Sequence, residues 1–302
     1  YTFYGCTSLR SVNLESLTNL TAIGESAFQG CTSLGSVVIP EGVTSIGGSA
    51  FRDCTSLATA ALNGTASVSS YMFADCTSLR TVMFNGTVTV IGSYAFRGCT
   101  RLEEIAIPAS VTNIASGAFS GCTLLANIDV ASGNGTYRSI NGNLYSKDGT
   151  TLLRYAPGKG GATFTVPAGV TAIAAGAFEG CDLTSVILPA SVTNIASGAF
   201  AGCTALGAVY YEGTAQQLEE LTIGSSNDPL LSAPFYIYSQ TEPETQTDGE
   251  GNTDYVKPSL TRTDITCAGY WRDEDGIATV WVYVAPETSG PEADASGSAD
   301  ET

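Results

Sequence analysis

The chain has 302 residues, of which 43% are hydrophobic and only 14% are charged, and its net charge is −17. This acidic balance excludes a nucleic-acid-binding protein, because phosphate contacts need basic patches. The sequence contains no stretch of about 18 or more apolar residues, the length that a membrane-spanning helix needs. It also contains no histidine, which removes Ser-His-Asp and Cys-His catalytic arrangements.

A Phe followed at the third position by a Cys recurs eight times, from Phe3 with Cys6 to Phe200 with Cys203. The steps between these cysteines are 25, 23, 22, 23, 23, 59 and 22 residues. A step this regular predicts a solenoid with one coil per repeat. The 59-residue step fits either one repeat with about 36 extra residues or two repeats, one of them distorted.

Residues 31–54 illustrate the strands and turns that we predict for each repeat. The alternating segment Ser36–Ile39, closed by Pro40, predicts a first strand. Residues 43–46 predict a second extended segment between glycine turns, and 49–51 a brief helical or 3₁₀ turn. One such coil has too few apolar residues to fold alone, so successive coils bury theirs against each other. The predicted fold class is therefore a β-rich α/β repeat solenoid with short parallel strands.

The repeats also carry a family resemblance. CTSLGSVVIPEGVTSIGGSAF (31–51), CTRLEEIAIPASVTNIASGAF (99–119) and CDLTSVILPASVTNIASGAF (181–200) resemble the BspA-like leucine-rich repeats of bacterial surface proteins. Residues 137–158 resemble the family's hairpin insertion, and 209–221 with 223–239 resemble its usual end of the array. The resemblance implies a secreted or surface-attached protein, and some members of this family are adhesins that bind host matrix proteins or other bacteria.

In chain order, we predict a leucine-rich-repeat solenoid over 1–239 that contains a hairpin insertion at about 132–161. A short helix at 214–223 and a last strand at 233–239 close the array. Residues 240–254 are predicted to be a linker, 255–285 a small β-hairpin appendage, and 286–302 a disordered acidic tail. Because the chain begins within a repeat and shows no signal peptide, we expect the natural protein to extend upstream.

The nine cysteines are interpreted as packing residues. Eight stand at the same place in each repeat, where small buried thiols suit a ladder and identical directions disfavour disulfides. Cys267 lies outside the repeats. There is no Cys-x-x-Cys and no histidine, so neither a metal site nor a cofactor is predicted. Asn63, Asn85 and Asn134 in Asn-Gly-Thr triplets are interpreted as turns.

Alternation in the first strands predicts which side chains face outward. The outward residues, called the front row below, are Val38, Ala61, Met83, Ala106, Asp129, Thr165, Ile187 and Tyr210. This row is more apolar than a solvated face needs to be, which favours a partner-binding surface around Val38, Met83, Ile187 and Tyr210. The alternative is that β-branched residues there only favour strands.

Two further segments are candidates for binding. The hairpin at 137–156, with its Lys-Asp-Gly turn, could present a binding face or could only join two halves of the array. Tyr270, Trp271, Trp281 and Tyr283 could form an aromatic cluster that binds sugar, or a small core docked on the array.

The sequence thus predicts a non-enzymatic protein that is secreted or at the cell surface and binds another protein through the solenoid. The expected partner is a host matrix protein or a bacterial surface protein. The alternatives are a structural spacer of a larger surface protein and carbohydrate binding through the C-terminal aromatics. The pattern leaves the ligand, the mode of surface attachment and the oligomeric state open.

Overall fold

Short parallel strands, two per coil, build the solenoid that the repeat predicts. The computed structural model describes residues 1–64, 67–247, 253–256, 258–274 and 277–282. The first strands of the coils, called front strands, are β2 (Ser36–Ile39), β4 (Thr59–Leu62), β6 (Thr81–Phe84), β8 (Glu104–Ile107), β10 (Asn127–Val130), β14 (Thr163–Thr165), β16 (Ser185–Leu188), β18 (Ala208–Tyr211) and β20 (Pro234–Tyr238).

The second strands, called back strands, pair in the same way. They are β1 (Ala22–Ile23), β3 (Ser45–Ile46), β5 (Ser67–Val68), β7 (Val90–Ile91), β9 (Asn113–Ile114), β13 (Thr151–Arg154), β15 (Ala172–Ile173), β17 (Asn194–Ile195) and β19 (Thr222–Ile223). Every hydrogen-bonded pair between neighbouring front strands or neighbouring back strands in the described residues is parallel. The predicted leucine-rich-repeat solenoid is confirmed.

The core consists of ladders of identical side chains, because each coil places the same residue types at the same height. Consecutive phenylalanines stack along the axis, with ring centroids 5.2 Å apart for Phe28 and Phe51 and 5.6 Å for Phe73 and Phe96. Beside them lie the buried cysteine thiols. Those of Cys31, Cys54, Cys76, Cys99, Cys122 and Cys203 donate to the Phe carbonyl of the preceding coil, as from Cys99 Sγ to Phe73 O at 3.1 Å. The ladder cysteines are therefore free and buried, as predicted, except that Cys6 in the first coil is exposed; their hydrogen bonds were not predicted.

The predicted helical turn before each cysteine is instead a run of hydrogen-bonded turns. Around Phe51, Ser49 and Asp53 have φ values of 57° and 60°, so a left-handed residue stands on each side of the phenylalanine. A residue in this region stops a right-handed helix, because its backbone hydrogen bonds can no longer follow the helical pattern. The chain turns sharply twice within five residues and no helix forms.

The 59-residue step contains two coils, of which the first is lengthened. Tyr155, one repeat length before Phe178, takes the phenylalanine position and lies 5.5 Å from that ring. The extra residues form the antiparallel strands β11 (Tyr137–Ile140) and β12 (Asn143–Ser146), and β12 pairs with β13. We call the interval between the coil of Phe119 and the coil of Tyr155 the junction. The hydrophobic core is divided there into two clusters, one ending at Leu144 and the other beginning at Tyr145.

The C-terminal segments differ from the expected organisation. Strand β20 does not end the sheet, because β23 (Thr266–Glu274) pairs with it in parallel and β24 (Ile277–Val282) then pairs with β23 in antiparallel. The hairpin appendage thus continues the front sheet. The segment expected as a linker contains β21 (Thr245–Thr247), which pairs with β22 (Thr253–Tyr255), since Thr and Tyr favour strands. The predicted turn at Asp275-Gly276 and the tail at 286–302 lie outside the described residues.

Two short helices lie near the end of the array. Helix α1 (Ala215–Glu220) begins with a capping box between Thr214 and Gln217, and α2 (Asp228–Ser232) has a proline in its first turn. Helix α1 corresponds to the predicted short helix, whereas α2 was not predicted, although Asn227-Asp228-Pro229 is a helix-start signal. Among the described residues, no helix has the length and apolar character needed to cross a bilayer.

Candidate functional site

The front row lies on one face of the sheet, as strand alternation predicts. Val38 is in register with Ala61 and Ala61 with Met83, while Ile187 is in register with Tyr210. The side chains on either side of each of these residues point inward: Val37 and Ile39, for example, are 1% and 0% exposed.

The members of the front row differ in their exposure. Met83 is 43% exposed, whereas Val38, Ile187 and Tyr210 are half-buried. Ala61 is only 6% exposed, because its small side chain lies in register between the larger Val38 and Met83. Met83 is therefore the predicted site residue that is most accessible to a partner.

The front row is not one continuous apolar stripe. Val38 and Met83 belong to the hydrogen-bonded group β2–β4–β6, whereas Ile187 and Tyr210 belong to the group that begins at β14. Between them, β8 and β10 carry Ala106 and Asp129 in register. A depression of about 260 Å³ there is lined by polar side chains, among them Arg80, Glu104, Asn127 and Asp129. The structure thus separates the four predicted residues into two apolar patches with a polar middle.

The second patch continues into aromatic residues that the sequence analysis did not include. Tyr236 is in register with Tyr210, and their rings stack with centroids 5.5 Å apart. Tyr238 is 37% exposed on the same face and lies 5.4 Å from Trp271. We call Ile187, Tyr210, Tyr236 and Tyr238 the aromatic end. The alternation in PFYIYS (234–239) was a sufficient signal, because it places both tyrosines on the face opposite Phe235 and Ile237.

The predicted C-terminal aromatic cluster forms with different members. Trp271 lies 5.2 Å from Tyr210, is 2% exposed, and donates from Nε1 to the Tyr211 carbonyl at 3.2 Å. Tyr270 faces the opposite way and packs against the core. Trp281 instead has the Arg272 guanidinium 5.0 Å above its ring, and Tyr283 lies outside the described residues. The β-bulge between Phe235 and Tyr236 shifts the register of the later β23 residues, so that Trp271 pairs with Tyr238 and Tyr270 with Ile237.

Burial affects the ionisation of two residues at and beside the aromatic end. Burial, and after it the neighbouring Tyr236, raises the pKa of Tyr210. Burial also raises the pKa of Glu212, which follows β18, and Asp273 adds to that effect. The Tyr210 hydroxyl is therefore a neutral hydrogen-bonding group on an apolar surface, a combination that is common in protein interfaces.

The hairpin turns its apolar side chains inward. Leu144, Tyr145 and Leu152 are at most 1% exposed. At the turn, the Ser146 hydroxyl and the Thr150 backbone N–H and hydroxyl donate to Asp148, and these bonds lower the pKa of its carboxyl to about 2. The hairpin joins the two halves of the core, and its outer surface is polar.

Two observations on the described residues concern metal binding and thiol reactivity. Within them, no group of three or more His, Cys, Asp or Glu side chains could hold a metal ion. Burial raises the pKa of Cys54, Cys122 and Cys181 to about 12, so these thiols remain protonated at neutral pH. Protonated buried thiols are poor nucleophiles.

Comparisons with known proteins agree with this geometry. A leucine-rich cell surface protein from Faecalibacterium prausnitzii A2-165 is 32% identical, with a TM-score of 0.60 over 78% of this chain and 68% of that one. A leucine-rich repeat protein from Eubacterium ventriosum, 24% identical, shares the fold with a TM-score of 0.54 over 77% of this chain and 68% of its own. Among curated proteins, none matches.

The repeats themselves match a family model. The model for the BspA type leucine rich repeat region matches six copies, which span residues 1–126 and 161–229. The interval between these two ranges contains the hairpin strands β11, β12 and β13. The chain belongs to the BspA-type leucine-rich repeat family.

Proposed function

We propose that this chain is a non-enzymatic binding protein, secreted or held at the cell surface, which recognises another protein through the front face of its solenoid. Membership of a leucine-rich-repeat family supports a role in binding or in structure. The name of the Faecalibacterium prausnitzii relative, a cell surface protein, supports the location. The expected partner is a host matrix protein or a bacterial surface protein.

The aromatic end is the observation that carries this proposal. Ile187, Tyr210 and Tyr236 lie in one register on three adjacent strands, and Tyr238 follows two residues later on the same face. The buried Trp271 ring packs beside Tyr210 and Tyr238. Tyrosines held this way lose little side-chain entropy when a partner binds, and tyrosine is common among the residues that dominate binding energy. The exposed Met83 provides a second apolar contact, with a flexible side chain that adapts to the opposing surface.

Carbohydrate binding through the C-terminal tryptophans is less well supported by the geometry. Sugar rings stack on an open aromatic face, but Trp271 is 2% exposed and Arg272 lies over the ring of Trp281. The spacer alternative requires no binding surface, so the same binding measurement separates it from the proposal.

Surface interferometry on immobilised basement-membrane proteins tests the proposal. We expect saturable binding by the wild-type chain and a loss of at least about tenfold in affinity in Met83→Asp and in Ile187→Asp, because each places a carboxylate in an apolar contact. Leu124→Asp is the matched control, since Leu124 is 49% exposed but lies outside the front row.

The outcomes separate the three functions. Equal affinity of the wild type and both front-row variants, with circular dichroism showing that all are folded, would contradict the proposal. Retention on a glycan array in place of protein would favour carbohydrate binding, and retention on neither surface would favour the spacer.

A further inference from the structure

The junction interrupts the backbone ladder that joins the coils. In the regular coils the amide of the ladder phenylalanine donates to the next coil, as from Phe73 N to Ala95 O at 2.8 Å and from Phe96 N to Ala118 O at 2.9 Å. The buried Phe119 stands at the junction, and among the described residues its N–H has no acceptor. A buried N–H without an acceptor costs free energy unless a ligand or solvent oxygen meets it.

The last coil shows how the chain treats the same position elsewhere. Phe200 also lacks a following coil of the regular kind, and there the Asn227 side-chain oxygen accepts from the Phe200 N–H at 2.9 Å. Asn227 is fully buried, and its amide nitrogen donates to the Ala196 and Gly224 carbonyls. A planar group with two polar atoms thus caps the ladder at its end.

A buried cation lies at the junction as well. Arg154 is 6% exposed, and its Nη1 donates to the carbonyls of Gly176 and Glu179 at 2.8 and 3.3 Å. Its Nε and Nη2 have no hydrogen-bond partner among the described residues. A guanidinium remains charged in proteins, and a buried charge without a counter-ion is costly.

The unused nitrogens of Arg154 form the edge that binds a carboxylate. Arg262 uses the same edge in this chain, since its Nε and Nη2 donate to the two carboxylate oxygens of Asp264 at 2.8 and 2.7 Å. Such two-point pairing is the characteristic way in which arginine holds a carboxylate.

Phe119 and Arg154 line one cavity of about 230 Å³. Its other walls are mostly aliphatic or aromatic, with Ile114, Ala118, Leu144 and Leu153 among them. From these contacts we propose that the junction cavity is a binding site for a small organic monocarboxylate. One carboxylate oxygen accepts from the Phe119 N–H, as Asn227 does at Phe200, while the carboxylate pairs with Arg154 and the aliphatic body lies against the apolar walls. Because Nε and Nη2 are shielded from solvent, the pairing needs a small movement of the arginine side chain.

Titration of the intact chain with sodium acetate, butyrate and hexanoate, followed by amide chemical shifts in NMR, tests this site. We expect saturable shifts at Phe119 and its neighbours, and an affinity that rises roughly fourfold for each methylene buried against the apolar walls, until the cavity is filled. Arg154→Met, which keeps the length and apolar stem of the side chain, should weaken butyrate binding by at least about tenfold. Arg138→Met, on the exposed surface of the neighbouring hairpin, should leave it unchanged.

Three results would overturn the proposal. The first is equal butyrate affinity in the wild type and Arg154→Met. The second is inorganic phosphate binding as tightly as butyrate with no dependence on chain length, which would indicate a general oxyanion site. The third is the absence of saturable shifts at Phe119 in the folded wild type, a measurement that does not depend on the stability of any variant. None of them bears on the front face, so the proposed function is tested separately.

Discussion

At the scale of single residues, most of the ladder cysteines stabilise the coils through burial and one thiol hydrogen bond. Cys54, Cys76, Cys99 and Cys122 are fully buried, and each Sγ donates at 3.1 Å to a phenylalanine carbonyl of the preceding coil. A thiol suits this place because it is small and largely apolar. It can still donate a second hydrogen bond to a carbonyl that already accepts from the cysteine amide of its own coil.

Stability should therefore fall at alkaline pH. Burial raises the pKa of the Cys54, Cys122 and Cys181 thiols to about 12, against an ordinary value of 9.0. Between these values the unfolded chain loses thiol protons that the folded chain keeps, so the free energy of unfolding decreases as pH rises. It should decrease by up to about 1.4 kcal/mol per pH unit for each such thiol. Urea unfolding at a series of pH values measures the free energy of unfolding. The account requires that this free energy fall less steeply with pH in Cys54→Ala than in the wild type.

Gly158 occupies the position that a cysteine holds in the regular repeats. A Cβ there would lie 2.1 Å from the Leu124 carbonyl oxygen, because the lengthened coil passes directly against the preceding turn. We expect Gly158→Ala to lower the free energy of unfolding by about 1–3 kcal/mol. In Gly35→Ala, where a Cβ meets nothing within 4 Å, the change should stay within about 0.5 kcal/mol. Similar losses in both variants would refute the steric explanation.

At the scale of elements, one asparagine fixes the start of the hairpin. Asn134 is fully buried; its Nδ2 donates to the Pro108 and Val111 carbonyls at 2.8 and 2.9 Å, and its Oδ1 accepts from the Thr136 and Tyr137 amides. The same Asn-Gly-Thr triplet at Asn85 is exposed, and Asn85 Nδ2 donates to Asn63 Oδ1. Identical triplets therefore serve two different purposes.

Asn134→Ala should lower the free energy of unfolding by about 2–4 kcal/mol, because it leaves several buried backbone groups unpaired. Asn85→Ala should change it by no more than about 0.5 kcal/mol. Thermal or urea unfolding of the two variants checks this difference. Equal stability of the two would mean that solvent satisfies the hairpin backbone without Asn134.

The sequence predicted the regular elements well and the irregular ones less well. Front and back strands could be located because Ile-Pro and Val-Thr-x-Ile recur at one spacing, and their inward residues are buried as expected. The lengthened coil could not be resolved, since Tyr155 and Gly158 replace the Phe and Cys that define the repeat. The addition of β23 to β20 was also hidden, because strand pairing between distant segments leaves no local pattern in the sequence.

At the scale of the whole molecule, the negative charge is concentrated in the C-terminal part of the chain. Residues 241–302 contain 14 acidic and 3 basic residues, whereas residues 1–240 contain 15 and 9. The solenoid is therefore the less charged part of the chain. The sequence predicted the front face, and Asp129 already marked a polar position between Met83 and Ile187. The depression lined by Arg80, Glu104 and Asn127 appears only when neighbouring coils lie side by side.

Oxidation of methionine measures the accessibility of the front face directly, because the chain has two methionines in opposite environments. Met83 is 43% exposed and Met72 is fully buried, so hydrogen peroxide should oxidise Met83 and spare Met72 in the free protein. Once a partner retained from the basement-membrane proteins is bound at saturation, we predict that Met83 oxidation slows several-fold while hydroxyl-radical labelling of the exposed Tyr4 is unchanged. Undiminished Met83 oxidation in the saturated complex would contradict the assignment of the front face as the binding surface.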